Sequence, residues 1–161
     1  MIVFRQAKFS DVENIHGLLN DYAKAGLMLP RSRNSIYENL RDYIIAVENN
    51  RLLGCGALHF VWDRLGEIRS VAIDPAMKGR GIGREIVKRL EEEGVARGVT
   101  MFFTLTYQPG FFSKCDYIET EKENLPQKVW KECVHCPQYP YCNEIAFIKT
   151  TVDYDPAAIV F

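Results

Sequence analysis

A chain of 161 residues with 47% hydrophobic and 12% aromatic residues can close one core around a sheet, so we expect a single domain over 1–161. Its 20 basic and 21 acidic side chains nearly cancel, which excludes a general attraction to nucleic acid or to an anionic membrane. The first residues lack the pattern of a secretory signal and no apolar run could span a bilayer, so the expected location is the cytoplasm.

The N-terminal part of the chain is predicted as a strand followed by two helices. Residues 2–6 form the strand, and Ser10 stands three positions before Glu13, the pattern of a capping box at a helix start. The first helix is expected to end at Gly26, and a second, short helix is expected over 35–40. The buried face of the first helix is predicted from apolar residues at helical spacing: Val12, Ile15, Leu18, Leu19 and Tyr22.

Three strands and a long helix are predicted in the middle of the chain. The strands are the apolar and β-branched runs 43–48, 52–62 and 67–73. Asn49-Asn50 joins the first two and is typical of a hairpin turn. The helix covers 81–97 and is closed by Gly98. Its predicted apolar face consists of Ile82, Ile86, Val87, Leu90 and Val95.

The C-terminal part is predicted to add two strands and a short helix. These elements are 101–106, 109–114 and 144–152, and an irregular, proline-containing stretch covers 121–143. Strands therefore outnumber helices in an alternating α/β order. Five cysteines, an odd number, fit a reducing compartment, and Cys55 and Cys115 are expected to be buried thiols.

The segment 74–83 lies between a predicted strand and the amphipathic helix and is rich in glycine. Gly79, Gly81 and Gly83 would let backbone N–H groups approach a ligand where the helix start leaves them unpaired. Because the helix dipole also favours an anion there, the pattern predicts a phosphate site. Three cations add charge around it: Lys78, Arg80 and Arg84. The alternative is a glycine-rich turn with solvated basic side chains.

This glycine segment matches neither a dinucleotide-binding fingerprint nor a P-loop. In its position after a run of antiparallel-looking strands it resembles the GNAT superfamily of acyl-CoA N-acyltransferases, whose signature slots are filled by Lys78, Gly81 and Gly83. The resemblance implies a mixed, mostly antiparallel sheet flanked by helices and acetyl-CoA as co-substrate. It also implies contacts with the cofactor. The pantetheine arm would lie along Val71, Ala72 and Ile73, and other parts of the cofactor would be contacted by Gly79, Arg80, Ile82, Arg84 and Phe112.

Three further segments, 26–33, 66–70 and 105–109, resemble the acetyltransferase domain of N-acetylglutamate synthases, and 125–133 resembles the single-domain bacterial members. This resemblance implies L-glutamate as the small-molecule substrate and a place in arginine biosynthesis. Glutamate carries two carboxylates, which guanidinium groups can bind with paired hydrogen bonds. The candidate substrate-binding residues are Arg31 and Arg33, followed by Arg69 and Lys128. Ordinary solvated basic residues are the alternative for this loop.

The resemblance also implies the chemistry, which is direct attack of the amine on the thioester. Glu67 occupies the position of the general base, although a surface glutamate at a strand start would look the same. A strand N–H near Val71 would stabilise the tetrahedral oxyanion. Many family members protonate the leaving thiolate with a tyrosine where this chain has Phe111-Phe112, so Thr106 and Tyr107 are the candidates here.

Histidines and clustered cysteines are the remaining residues with catalytic or metal-binding potential. His16, His59 and His135 have no visible triad partner. A zinc knuckle at Cys133, Cys136 and Cys142 shows only one Cys-x-x-Cys element, and we therefore expect no metal.

Three hypotheses on function remain open from the sequence. The first is acetylation of glutamate, and the second is acetylation of another amino acid, a small amine or a protein N-terminus. The third is a non-catalytic module that binds acyl-CoA. A homodimer is compatible with each of them.

Overall fold

The computed structural model describes residues 1–126 and 143–158. Within these ranges the helices are α1 (Val12–Lys24), α2 (Arg33–Glu38), α3 (Ile82–Ala96) and α4 (Pro109–Lys114). The strands are β1 (Val3–Gln6), β2 (Tyr43–Glu48), β3 (Arg51–Trp62), β4 (Leu65–Ile73), β5 (Met101–Thr106), β6 (Ile118–Thr120) and β7 (Ile145–Thr150). They form one sheet of order β1-β2-β3-β4-β5-β7-β6, in which only the β4–β5 pair is parallel. The predicted mixed, mostly antiparallel sheet is confirmed.

The start of α1 differs from the prediction. Ser10 lies in a 3₁₀ turn, and Asp11 is the residue that precedes the helix. The Asp11 carboxylate accepts a hydrogen bond from the Lys8 N–H at 2.7 Å and pairs with Arg5 Nη1 at 2.8 Å. The predicted serine capping box is therefore wrong, because the chain uses this carboxylate to tie the end of β1 to the start of α1. The predicted end is confirmed by Gly26, whose φ is +74°.

The predicted hairpin turn is confirmed, whereas the second helix starts at a different residue from the predicted one. Asn49 and Asn50 both have positive φ, 51° and 62°, as the predicted β2–β3 hairpin requires. The second helix begins at Arg33, earlier than predicted, because the Ser32 hydroxyl accepts a hydrogen bond from the Ser35 N–H at 3.1 Å and caps it.

Helices cover both faces of the sheet. On one face, α1 and α2 bury a cluster that includes Ile15, Leu19, Tyr22, Ile36, Ile45 and Cys55. On the other, α3 and α4 bury a cluster that includes Ile82, Ile86, Leu90, Phe102, Phe112 and Phe147. The predicted inward position of Val95 is wrong, since its side chain is 51% exposed. Gly94 faces the sheet instead, where a Cβ atom would lie 2.7 Å from the Phe102 ring.

Near the C-terminus one strand was not predicted. β6 has three residues, which is too short for an alternating pattern to be recognised, and it pairs with β7. The predicted burial of Cys55 and Cys115 is confirmed. In residues 1–126 and 143–158 none of the helices is long and apolar enough to cross a bilayer.

β4 and β5 separate part-way along their length. They pair over only three positions, from Leu65↔Met101 to Glu67↔Phe103. Beyond Glu67, β4 continues to Ile73 and β5 continues to Thr106 without a shared ladder. The divergence leaves one edge of β4 open toward a cleft.

Candidate active site

A cleft of about 750 Å³ lies in the opening between β4 and β5, a size typical of small-molecule sites. Its walls include the start of α3, part of α4 and residues 27–31 after α1. The cleft brings together most of the predicted site residues: Arg31, Glu67, Arg69, Val71, Ile73, Lys78, Gly79, Gly81, Ile82, Gly83, Arg84, Thr106, Tyr107 and Phe112.

Of the predicted site residues that the structure describes, three do not line the cleft. Arg33 lies on α2, where its side chain is 57% exposed and its Nε lies 2.8 Å from Glu13. Ala72 turns its side chain into the core under α1, and Arg80 Nη1 lies 3.6 Å from Met77 Sδ. Lys128 lies outside the described residues, as do His135 and the three clustered cysteines for which no metal is expected, Cys133, Cys136 and Cys142.

The start of α3 presents backbone donors to the cleft. Gly79 and Gly81 have φ values of +82° and +76°, and Gly81 is the N-cap. The first hydrogen bond of the helix runs from the Glu85 N–H to the Gly81 carbonyl at 3.1 Å, so the N–H groups of 82–84 have no partner within the helix. Gly83 lies against Phe111, where a Cβ atom would be 2.8 Å from the ring. This helix of 15 residues therefore directs donors and its positive dipole end at an anion.

A β-bulge interrupts the pairing of β4 with β3 next to the open edge of β4. Two β4 residues, Ser70 and Val71, stand opposite Gly56 of β3, and Ser70 has a φ of +57°. After the bulge, the Asp74 N–H donates to the Leu53 carbonyl of β3 at 2.8 Å. Because backbone groups alternate along a strand, Val71 and Ile73 turn theirs to the opposite edge, which borders the cleft.

The far end of the cleft carries charged side chains. Glu67 is the last residue of β4 paired with β5, and its Oε1 lies 3.5 Å from Arg69 Nη1. Both side chains are largely buried, 16% and 6% exposed, and Arg31 lines the same cleft. Burial raises the pKa of the nearby Tyr43, partly offset by a hydrogen bond with Ser70, so that Tyr43 keeps its proton at neutral pH. The arrangement can accept a proton and bind an anion side by side.

On the β5 side, Thr106 and Tyr107 line the cleft at the strand end. Thr106 Oγ1 accepts a hydrogen bond from the Gln108 N–H at 2.8 Å, which leaves its own proton available for donation. Phe112 is 4% exposed and packs edge to face with Phe111 and Tyr117, so it belongs to the core as well as to the cleft wall.

The chain matches the model of the acetyltransferase (GNAT) family over residues 12–117. An uncharacterized N-acetyltransferase of Chlorobaculum tepidum is 40% identical over 146 residues, which cover 91% of this chain and 94% of the relative. The chain belongs to the GNAT family. As a GNAT enzyme it is an acyltransferase with acetyl-CoA as its co-substrate.

Further similarity concerns amino-acid acetyltransferases. A protein of that name from Mycobacterium tuberculosis is 38% identical over 135 residues, 81% of this chain and 76% of the relative. A Mycobacterium tuberculosis structure in complex with CoA and NLQ has a TM-score of 0.80 at 30% identity, over 93% of this GNAT chain and 99% of that one. N-acetylglutamate synthase from Neisseria gonorrhoeae, complexed with coenzyme A and N-acetyl-glutamate, has a TM-score of 0.84 at 22% identity, over 93% of this chain and 35% of that one. The last likeness concerns the fold alone.

One feature of this GNAT site and one contact on the neighbouring strand escaped the sequence analysis. Tyr22, assigned to the apolar face of α1, reaches the cleft and hydrogen-bonds to Ile73. His59 does have an acidic partner, since its Nδ1 lies 2.8 Å from Asp42 Oδ2, and it stands opposite Glu67 in the β3–β4 ladder. No local pattern signals either contact, because each joins segments that are distant in the sequence.

Proposed function

We propose that this GNAT enzyme transfers the acetyl group of acetyl-CoA to the α-amine of L-glutamate and forms N-acetyl-L-glutamate. The observation that carries the proposal is the pairing of Glu67 with Arg69 in the cleft that Arg31 also lines. One group can take the proton of an ammonium while guanidinium groups bind carboxylates. The 38% identity to an amino-acid acetyltransferase supports this acceptor class. The product would enter arginine biosynthesis, and we propose a cytoplasmic location.

The cofactor pose follows from the donors and the open edge. The diphosphate would bind the N–H groups of 82–84, with Lys78, Arg80 and Arg84 nearby to balance its charge. The pantetheine arm, which carries two amides, would extend along the edge of β4 as an added strand does, bonding to Ile73 and to the Val71 carbonyl and leaving the Val71 N–H for the thioester oxygen. Its thioester would then lie near Glu67, and Phe112 would pack beside the arm.

The reaction would proceed by direct attack. Glu67 accepts a proton from the ammonium, the neutral amine forms a bond to the thioester carbonyl carbon, and the Val71 N–H stabilises the oxyanion. Collapse of the tetrahedral intermediate breaks the C–S bond. Thr106 or Tyr107 protonates the departing thiolate and regains a proton from solvent. The nitrogen carries two protons after the attack and loses one of them to solvent, and Glu67 releases the proton that it accepted.

Burial of the described cysteines supports a mechanism without an acetyl-enzyme. The Cys55 thiol is fully buried, and desolvation raises its pKa to about 12. Burial also raises the pKa of the Cys115 thiol. A nucleophilic cysteine must be a thiolate and must reach the substrate, and neither of these two meets that requirement.

An acceptor screen tests the proposal. Purified enzyme with acetyl-CoA would be supplied with each amino acid, small amines and a peptide, and free CoA would be measured as released thiol. We expect L-glutamate to give the highest kcat/KM. Faster turnover with an uncharged amine or a peptide would contradict the glutamate assignment, and binding of acetyl-CoA without turnover of any acceptor would favour a non-catalytic module.

A further inference from the structure

The hydroxyl of Tyr22 occupies the open edge of β4. It donates to the Ile73 carbonyl at 2.7 Å and accepts from the Ile73 N–H at 3.0 Å. Tyr22 is only 6% exposed and comes from α1, 51 positions away in the chain. One side chain thus satisfies both backbone groups of the last β4 residue, at the point where β5 no longer pairs with β4.

A secondary amide carries the same two functions as this hydroxyl, one donor and one acceptor. A pantetheine arm that extends along β4 would direct an amide at Ile73, where the Tyr22 hydroxyl already lies. Both cannot make these two hydrogen bonds at once, because one N–H directs a single strong bond and the hydroxyl sits in its path.

We propose that Tyr22 stands in for the cofactor amide in the free enzyme and releases Ile73 when acetyl-CoA binds. The proposal rests on the proposed cofactor pose. In the free enzyme the hydroxyl keeps a buried strand end hydrogen-bonded, which avoids the cost of unpaired backbone groups beside an apolar wall. On binding, the arm takes over the same bonds, and the enzyme must first break two of its own.

Lys78 links this exchange to the phosphate end of the cleft. Its Nζ lies 5.6 Å from the centroid of the Tyr22 ring, and Lys78 fills the first slot of the glycine signature. A cation over an aromatic face is attracted to it, so a movement of the Tyr22 ring weakens the contact that holds the Lys78 side chain. Release of Tyr22 therefore leaves Lys78 free to turn toward the diphosphate.

Tyr22→Phe tests the exchange by the sign of its effect on affinity. The variant cannot make the two hydrogen bonds, so binding no longer has to break them, and we expect acetyl-CoA to bind about three- to tenfold more tightly by calorimetry. Tyr117→Phe is the matched control. It removes another buried hydroxyl, which donates to Glu91 at 2.7 Å outside this cleft, and it should leave the acetyl-CoA Kd unchanged.

The outcomes separate this inference from the proposed function. Unchanged or weaker binding of acetyl-CoA by Tyr22→Phe, with wild-type binding intact, overturns the exchange alone. An absence of binding by the wild-type enzyme overturns the cofactor pose itself. Should Tyr22→Phe not fold, a crystal structure of the wild-type enzyme with acetyl-CoA decides, and we expect the Tyr22 Oη to Ile73 N distance to exceed about 3.6 Å. Retention of both hydrogen bonds there would contradict the exchange.

Discussion

Among single side chains, Glu67 has the clearest chemical assignment. We expect Glu67→Gln to lower kcat by about 10²- to 10³-fold, because an amide cannot accept the ammonium proton. The KM for acetyl-CoA should change little. Release of CoA under saturating substrates measures the effect, and Glu119→Gln on the exposed β6 is the matched control. Unchanged turnover in Glu67→Gln would mean that another group accepts the proton.

Arg31 and Arg33 are near neighbours in the chain but have different surroundings. Arg31 lines the cleft, whereas Arg33 lies on the surface of α2 and pairs with Glu13 of α1. We expect Arg31→Ala to raise the KM for glutamate by about 10- to 100-fold, since a charge-assisted hydrogen bond to a carboxylate contributes about 1.5–3 kcal/mol. Arg33→Ala should leave that KM near the wild-type value. Equal effects of the two substitutions would contradict the assignment of Arg31.

Among the contacts between helices and strands, the Arg5–Asp11 pair joins β1 to α1. The hydrogen bond from Arg5 lowers the pKa of the Asp11 carboxyl. A lowered pKa stabilises the fold above the unfolded value, near 3.9, and this contribution is lost as the pH falls through the folded pKa. We expect Asp11→Asn to cost about 1 kcal/mol at pH 7 and progressively less below about pH 4. Urea unfolding at several pH values measures the difference, and a constant difference would contradict it.

The close approach of α3 to the sheet depends on Gly94. An added Cβ atom would lie 2.7 Å from the Phe102 ring, and we expect Gly94→Ala to destabilise the fold by about 1–3 kcal/mol through overpacking. Gly17 on α1 is the control, because no neighbouring atom lies within 4 Å of the corresponding Cβ position. There, alanine should stabilise the helix by about 0.5–1 kcal/mol. Denaturant titration compares the two variants, and a gain in stability from Gly94→Ala would contradict this packing.

For the folded protein as a unit, cofactor binding is coupled to stability. Acetyl-CoA at about 100 times its Kd should stabilise the native state by about 2.7 kcal/mol if the unfolded chain does not bind it. For a chain of this size that corresponds to about 5–10 °C in Tm. Differential scanning fluorimetry with acetyl-CoA measures the shift. A Tm that does not respond to acetyl-CoA would contradict the assigned cleft.

The fold was largely predictable because its main signals are local. The continuous apolar runs of β2 and β3, the two asparagines between them and the periodic face of α3 all lie within short stretches of chain. The exceptions were also local in cause. Asp11, which pairs with Arg5, and not Ser10 precedes the first helix. Gly94 and not Val95 faces the sheet, because a residue without a side chain leaves room for the Phe102 ring.

The sequence by itself determined the chemistry available, because residue type and spacing set what a segment can bind. It supplied a glycine-rich helix start, an acidic residue and several arginines. Only the tertiary structure decided which of these groups share a cleft. The separation of β4 from β5, the exclusion of Arg33 and the contact of Tyr22 with Ile73 depend on strand register and on which face of the sheet each helix covers. Such long-range contacts carry no periodic signal, since the partners are distant along the chain and meet only once the core has formed.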